Sequence, residues 1–259
     1  MKRSLLALLV TALAGAACGN SDSSVTAPAT STTNPSGLGS TETFFGLLAV
    51  QGSSVYSFTV TAAETVTISL ASLSASTIGP ASTAVVRLGL GAPADTDCGV
   101  TSSVDTAAGL TAQLTAMINV GTYCVKILDI GNLPSPANFT IRIGHGVGAS
   151  SSNATPTTDT FSSFLSIGGS SAHTFPVSQG GTISLTLTSV TPSSTVGVAI
   201  GIPSSSSSIC ELTSSLNATA ATTAQISLPV DPGTYCAEVY DPGTVKAPGV
   251  AFSLAVTHP

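Results

Sequence analysis

Two cysteine pairs with the same separation constrain this sequence most. Cys98 and Cys124 lie 26 residues apart, and so do Cys210 and Cys236. The second cysteine of each pair ends the same tetrapeptide, GTYC. A matched tetrapeptide at a matched distance from another cysteine indicates an internal repeat. In an oxidising compartment the natural pairing is therefore one disulfide within each copy, Cys98–Cys124 and Cys210–Cys236.

The repeat extends over most of the chain. The GTYC segments align at an offset of 112, whereas the earlier segments around Phe58 and Phe175 align at 117, so five residues are lost between them. The two copies occupy residues 41–145 and 158–259. Before the first copy, residues 18–40 are rich in Ser, Thr, Pro and Gly and predict a flexible tether. Residues 146–157 predict a linker of the same kind.

Each copy shows the period-two alternation of half-buried strands. Tyr56, Phe58 and Val60 alternate with polar or smaller residues, and Ile183, Leu185 and Leu187 do the same in the second copy. We expect seven or eight short strands per copy. No segment carries a convincing helical stripe. The predicted fold class is all-β, with two tandem antiparallel β-sandwich domains of about 100 residues each. Four aromatic pairs match between the copies and are expected in the cores: Phe44/Phe161, Phe58/Phe175, Tyr123/Tyr235 and Phe139/Phe252.

The N-terminus is typical of an export signal. Lys2 and Arg3 precede an apolar run from Ser4 to Ala17, and 14 residues are too few to cross a bilayer, which takes roughly 20. Residues 1–17 are therefore interpreted as a signal peptide.

The end of this segment resembles the lipobox of bacterial lipoproteins. The sequence from Ala14 to Cys18 reads AGAAC, with Gly15 where that family prefers Leu. The resemblance implies that Cys18 becomes the first mature residue and carries a lipid, which also accounts for an odd fifth cysteine. The alternative is an ordinary cleavage site and a secreted protein without lipid. We expect a cell-envelope location, lipid-anchored on the periplasmic or outer-surface side.

The repeats themselves resemble a known family. "GTYCVKILDIG", "GTYCAEVYDPG" and the opening "GSSVYSFTV" are similar to bacterial pre-peptidase C-terminal (PPC-type) domains. The resemblance implies a jelly-roll-like β-sandwich and an extracellular accessory module. Such modules are often appended to secreted enzymes, but no enzyme domain is recognisable in this sequence.

The charge distribution argues against nucleic-acid binding. Beyond the signal segment the chain has twelve acidic residues and only four basic ones. A nucleic-acid site needs a basic face. The basic residues are Arg87, Lys126, Arg142 and Lys246. The only predicted membrane contact is the lipid anchor, and no ligand or protein partner is identified.

No catalytic constellation stands out. Serine hydrolase chemistry needs a nucleophile beside an oriented base, and the chain offers three histidines and no G-x-S-x-G motif. His145 and His258 are equivalent in the two copies and are expected at strand ends, and His173 takes the place of Tyr56. We therefore predict a non-enzymatic protein, with a cryptic hydrolase as the third and weakest hypothesis.

Cofactor signals are also weak. Metal-binding motifs are missing from the sequence. Oxygen ligands for calcium could come from Asp95, Asp97, Asp105 and Asp129 in the first copy, and the competing interpretation is solvated loop acids. Asp129-x-Gly131 and Asp241-x-Gly243 recur after GTYC and predict carboxylates that cap their own turns.

These observations lead to one functional hypothesis and one alternative. The first is a non-enzymatic envelope lipoprotein whose modules act as a surface binding or spacer element. The alternative is an accessory module that binds polysaccharide or protein, with calcium as an assisting ion. The absence of Trp and the few aromatics outside the predicted cores weaken the case for a sugar-stacking platform.

Overall fold

A computed structural model describes residues 30–33, 40–75, 80–146, 155–204 and 209–259. All regular elements in these ranges are strands, which confirms the predicted fold class. The signal peptide and Cys18 lie outside the described residues. The strands of the first half are β1 (Thr30–Thr33), β2 (Ser40–Leu48), β3 (Ser53–Val60), β4 (Glu64–Ser74), β5 (Val86–Ala94), β6 (Asp97–Thr106), β7 (Leu114–Ile118), β8 (Gly121–Leu128) and β9 (Ala137–His145). Those of the second half are β10 (Thr157–Leu165), β11 (Ser170–Val177), β12 (Gly181–Thr191), β13 (Val196–Pro203), β14 (Cys210–Ala218), β15 (Ile226–Val230), β16 (Gly233–Tyr240) and β17 (Val250–His258).

The two modules have the same topology. In the first, one sheet has the order β2-β9-β4-β7, with β1 added at its β2 edge, and the other has the order β3-β8-β5-β6. The second module repeats this with β10-β17-β12-β15 and β11-β16-β13-β14, and the strand pairs are antiparallel. Apart from β1, each module therefore has eight strands in two layers, within the seven or eight that the sequence predicted.

The repeat also preserves two β-bulges per module. The first bulge follows Leu70 in β4 and Leu187 in β12. The backbone N–H of Leu70 donates to the side-chain oxygen of Gln113, and that of Leu187 donates to the side-chain oxygen of Gln225. The second bulge follows Leu90 in β5 and the equivalent Ile200 in β13. Bulges bend a strand and raise its twist, which helps these sheets curve over a small core.

Both cores lie between the two sheets of a module. Of the eight predicted core aromatics, six are buried, and Phe161 and Tyr123 are partly buried against the same clusters. The GTYC tyrosine has the same role in both copies, since its hydroxyl donates to the carbonyl four residues earlier, that of Asn119 or Asp231. The two copies therefore share this hydrogen bond as well as the motif.

Two disulfides join the predicted cysteine pairs. Cys98–Cys124 links β6 to β8, and Cys210–Cys236 links β14 to β16, with Cα atoms 5.8 and 5.9 Å apart. In the first module the neighbouring strands pack most closely at Gly91, where a Cβ would overlap the carbonyl group of Gly99. Only glycine fits such an approach.

A short strand lies within the segment predicted as a tether. Thr30–Thr33 pairs with Ser40–Thr43 as an antiparallel edge strand. Threonine favours strands, and the edge of β2 offers backbone groups for pairing. Residues 18–29 and 34–39 lie outside the described residues, so the tether stays a prediction.

Among the described residues, no helix has the length and apolar character needed to cross a membrane.

Candidate functional site between the two modules

The second module packs against the outer face of a sheet in the first. Strand β14 lies on β4 and β9, where the Glu211 carboxylate accepts hydrogen bonds from the hydroxyls of Thr140 and Ser72. The Thr213 hydroxyl donates to the backbone carbonyl of Ala71. Thr140 and Ser72 are buried by this contact. In this part of the interface, hydroxyl groups donate to a carboxylate and to a backbone carbonyl.

A segment of the first module extends this interface. The connection from β4 to β5 is seven residues longer than its counterpart in the second module, as the bulge offsets of 117 and 110 show. Ala81 in this connection packs on an apolar patch of the second module, and its N–H donates to the Ser215 hydroxyl at 2.9 Å. We call this patch the disulfide patch; it consists of Ala199, Cys210, Leu212, Cys236 and Tyr240.

A third contact joins the loops beside the interface. The Asp231 N–H donates to the Leu110 carbonyl at 3.1 Å, and one Asp231 carboxylate oxygen accepts from the N–H of Ala112 at 2.8 Å. Leu110 and Ala71 of the first module belong to the apolar cluster of the second. The two modules therefore form one unit through hydrogen bonds and shared apolar contacts.

A cleft of about 160 Å³ opens between this loop contact and the outer face of the first sheet. Its floor is Gly144, which sits between Thr41 and Thr67 in the sheet register and has no side chain to fill the space. Leu110 and Pro232 supply apolar walls. The remaining lining residues are Thr65, Ser69, Ala112, Thr115, Arg142 and Asp231.

Among the described residues, Arg142 is the only cation that lines this cleft. Its guanidinium carbon lies 5.5 Å from the centre of the Tyr235 ring, and one N–H donates to the Tyr235 hydroxyl at 3.4 Å. Gly233 makes room, because a Cβ there would overlap the guanidinium. Within the described residues Arg142 has no carboxylate partner, in contrast to Arg87 with Asp105 and Lys126 with Asp97.

The ionisation of Tyr235 reflects this environment. Burial is the largest influence and raises the pKa of the phenol, while the nearby Arg142 lowers it and Asp231 raises it again. The pKa stays above its ordinary value. Tyr235 therefore presents a neutral ring to Arg142, and the contact is a cation–π interaction.

The first module's part of the cleft lining is not repeated in the second module. The positions equivalent to Gly144 and Arg142 are Thr257 and Ala255 in β17. The Thr257 hydroxyl bonds to that of Thr158 at 2.8 Å, which fills the space left open by Gly144. Both modules have the same sheet, but only the first has the glycine and the arginine that line the cleft.

The three histidines have structural contacts. His145 packs on Phe58, and its two ring nitrogens lie 2.7 Å from a Glu64 oxygen and 3.3 Å from a Glu42 oxygen. The two carboxylates approach opposite nitrogens and do not converge on one point. Only the contact to Glu64 has hydrogen-bond geometry, so Nε2 facing Glu42 is close in distance but poorly aligned.

The other two histidines follow the same pattern. His258 packs on Phe175 and approaches Asp159, the counterpart of Glu42, at 3.4 Å. His173 stacks on Phe161, as Tyr56 stacks on Phe44. In the described ranges, no serine hydroxyl hydrogen-bonds to any of these rings.

The four acidic residues considered for calcium do not share a site. Asp97 pairs with Lys126 at 2.7 Å, Asp105 pairs with Arg87 at 2.6 Å, and Asp95 sits exposed at the hairpin between β5 and β6. In the described part of the chain, no group of three or more His, Cys, Asp or Glu side chains is placed to hold a metal ion.

Asp129 and Asp241 cap their own turns, as the sequence predicted. One oxygen of Asp129 accepts from the N–H groups of residues 131, 132 and 133, and the other accepts from Gln51 N–H at 2.7 Å. Asp241 does the same with residues 243, 244 and 245 and with Gly168. Burial alone would raise the pKa of each carboxyl, but the four N–H donors outweigh it and the pKa is lowered.

The disulfides indicate an extracytoplasmic protein, because such bonds are rare in the reducing cytosol. Comparison with known proteins adds no family. No protein-family profile matches the sequence, and no curated protein matches it either. The resemblance to PPC-type domains therefore stays a prediction.

The chain has weak overall structural similarity to several solved proteins. The PBSX exported protein XepA is 14% identical with a TM-score of 0.30, covering 87% of this chain and 88% of its own. A Paenibacillus xanthan lyase is 13% identical with a TM-score of 0.25, covering 90% of this chain and 26% of its own. Tripeptidyl peptidase 2 is 9% identical with a TM-score of 0.33, covering 89% of this chain and 24% of its own. The chain thus spans about a quarter of the last two proteins.

The sequence did not predict the inter-module site. No sequence pattern singled out Arg142, Glu211 or Asp231. A signal was present, however, because their counterparts in the other copy are Ala255, Gly99 and Asn119. Charged residues that occur in only one copy of a repeat can mark a contact between the copies.

Proposed function

We propose that this chain is a lipid-anchored, non-enzymatic protein of the cell envelope whose two PPC-like modules act together as a surface binding or spacer element. The observation that carries the proposal is the contact of Glu211 and Thr213 with the first module, which joins the two sandwiches into a single unit. The contacts of the three histidines described above are structural, which supports a role without catalysis.

The anchor is tested on the native protein. Membranes of the producing cell are extracted with detergent, and the mass of the N-terminal peptide is measured. A diacylated or triacylated Cys18, with the mature chain in the membrane fraction, is the expected result. Cys18→Ser should move the protein to the soluble fraction, whereas the matched control Ser21→Ala should not. An unmodified N-terminal cysteine on a soluble wild-type protein would reject the anchor.

A ligand-binding role is the second candidate, and the cleft beside Arg142 favours it. Gly144 and Arg142, which line it, are Thr257 and Ala255 in the second module, so the sandwich fold does not require these two residues. The calcium-assisted version requires that millimolar calcium raise the melting temperature of wild type but not that of Asp95→Ala/Asp97→Ala. Because Asp97 is already paired with Lys126, we expect no such rise. An unchanged wild-type melting temperature would reject calcium while leaving the cleft as a candidate.

A further inference from the structure

We propose that the cleft between the modules binds a small hydroxylated carboxylate, of the size of one uronic-acid ring, with Arg142 holding the carboxylate. The inference rests on the ligand-binding role proposed above and names the chemical class of the ligand. It starts from the guanidinium, which lines the cleft without a carboxylate partner among the described residues. A guanidinium has five N–H donors, and the hydrogen bond to Tyr235 uses one of them.

The charge of the cleft favours a carboxylate over a phosphate. Arginine binds a planar carboxylate through two parallel N–H···O bonds. A phosphate dianion usually meets several cations or a cradle of backbone N–H groups, whereas this cleft is lined by one cation. The Asp231 carboxylate, also in the lining, repels any anion, and it repels a dianion about twice as strongly as a monoanion. The site therefore suits a monoanion.

The rest of the lining favours a ligand that carries hydroxyl groups. Thr41 and Thr67 flank the open floor above Gly144, and Ser69 lies beside Arg142 in the sheet register. Each hydroxyl can both donate and accept a hydrogen bond. Leu110 and Pro232 offer apolar contact for the C–H faces of a ring. A volume of about 160 Å³ is close to that of a cavity that holds one unsubstituted six-membered ring, so the outer substituents of a uronic acid would extend into the open side of the cleft.

The position of Arg142 is fixed before any ligand arrives. The guanidinium lies over the ring of Tyr235, and the space for it comes from Gly233. Tyr235 is itself fully buried, with its hydroxyl bonded to the Asp231 carbonyl. A side chain that is already ordered loses little entropy on binding, which favours affinity.

The test is isothermal titration of the full mature chain with D-glucuronate, D-glucose, acetate and inorganic phosphate. We expect one glucuronate to bind per chain. Glucose, which lacks the carboxylate, and acetate, which lacks the hydroxyl groups, should each bind at least about tenfold more weakly. Arg142→Gln should abolish glucuronate binding. Arg87→Gln, in which the lost arginine pairs with Asp105 outside the cleft, should bind like wild type.

Several outcomes would overturn the proposal. Equal affinity for glucose and glucuronate would exclude recognition by Arg142, and equal affinity for acetate would exclude the hydroxyl contacts. Phosphate binding as tight as glucuronate would exclude the carboxylate assignment. The wild-type comparisons need no variant, so they decide the matter even if Arg142→Gln misfolds. Absence of glucuronate binding by a protein that carries the Cys18 lipid would reject this ligand while leaving the envelope anchor intact.

Discussion

Arg142 of the first module lies over the ring of Tyr235 of the second, with 5.5 Å between the guanidinium carbon and the ring centre. Tyr235 belongs to the GTYC motif that both copies share, whereas Arg142 occurs in only one copy. The equivalent tyrosine, Tyr123, has the same hydrogen bond to a carbonyl four residues earlier. Within the described residues, no arginine makes a cation–π contact with its ring. A structural residue of the repeat has thus gained a second contact at the interface.

The hydrogen bond from Thr213 to Ala71 should couple the unfolding of the two modules. We expect Thr213→Val to weaken the interface by about 1–2 kcal/mol, because the buried carbonyl loses its donor. Differential scanning calorimetry should show one unfolding transition for wild type and a broadened or split transition for the variant.

The matched control for this experiment is Thr101→Val. Thr101 is the repeat counterpart of Thr213, is exposed, and bonds only to the Leu90 carbonyl within its own module. The control should keep the wild-type profile. If both variants give the same profile, the interface hydrogen bond does not couple the modules.

Sequence patterns predicted the parts of this protein that depend on local or repeated constraints. Alternating apolar residues around Phe58 specify a strand with one buried face, and the equal cysteine spacing specifies a bridge in each copy. The cleft depends instead on where β14 packs against β4, and no periodicity encodes that placement. The change of alignment offset between the copies includes the longer β4–β5 connection. That insertion was the feature of the sequence that could have indicated a contact between the two copies.

The turn carboxylate of Asp129 should contribute substantially to stability. Its oxygens accept four backbone N–H groups, including that of Gln51 at 2.7 Å. We expect Asp129→Ala to lower the free energy of unfolding by about 2 kcal/mol. Urea denaturation at pH 7 measures this directly, and Asp95→Asn, which removes an exposed loop carboxylate, should change it little.

The same residue makes a pH prediction. Because the pKa of Asp129 is lowered in the folded protein, its contribution is complete above the unfolded value, about 4. It is lost as the pH falls through the folded pKa. The stability difference between wild type and Asp129→Ala should therefore shrink when urea titrations are repeated at pH 3 and below. A difference that stays constant down to pH 2 would contradict a charged cap.

Glu238 should behave in the opposite sense. It is 3% exposed, and burial raises its pKa more than the hydrogen bonds from Ser170 and the Cys210 N–H lower it. Ionised Glu238 therefore costs stability above its folded pKa, and the cost disappears below the unfolded value. We expect Glu238→Gln to stabilise the protein at pH 7 by on the order of 1 kcal/mol. In thermal melts the advantage should vanish near pH 4; a destabilised variant at pH 7 would show that the charge is needed.

The two disulfides close loops of equal length but should not be equally important. Loop-closure entropy predicts roughly 3–4 kcal/mol for either bridge. Cys210 and Cys236, however, also belong to the disulfide patch against which Ala81 of the first module packs. We therefore expect Cys210→Ala/Cys236→Ala to lose both the bridge and part of the interface, while Cys98→Ala/Cys124→Ala loses the bridge alone. Calorimetry of the two double variants compares them directly.

The second-module variant should show separate transitions for the two modules, because its damaged interface no longer couples them. If its transitions stay coupled to the same degree as those of the first-module variant, the disulfide patch contributes nothing to the contact.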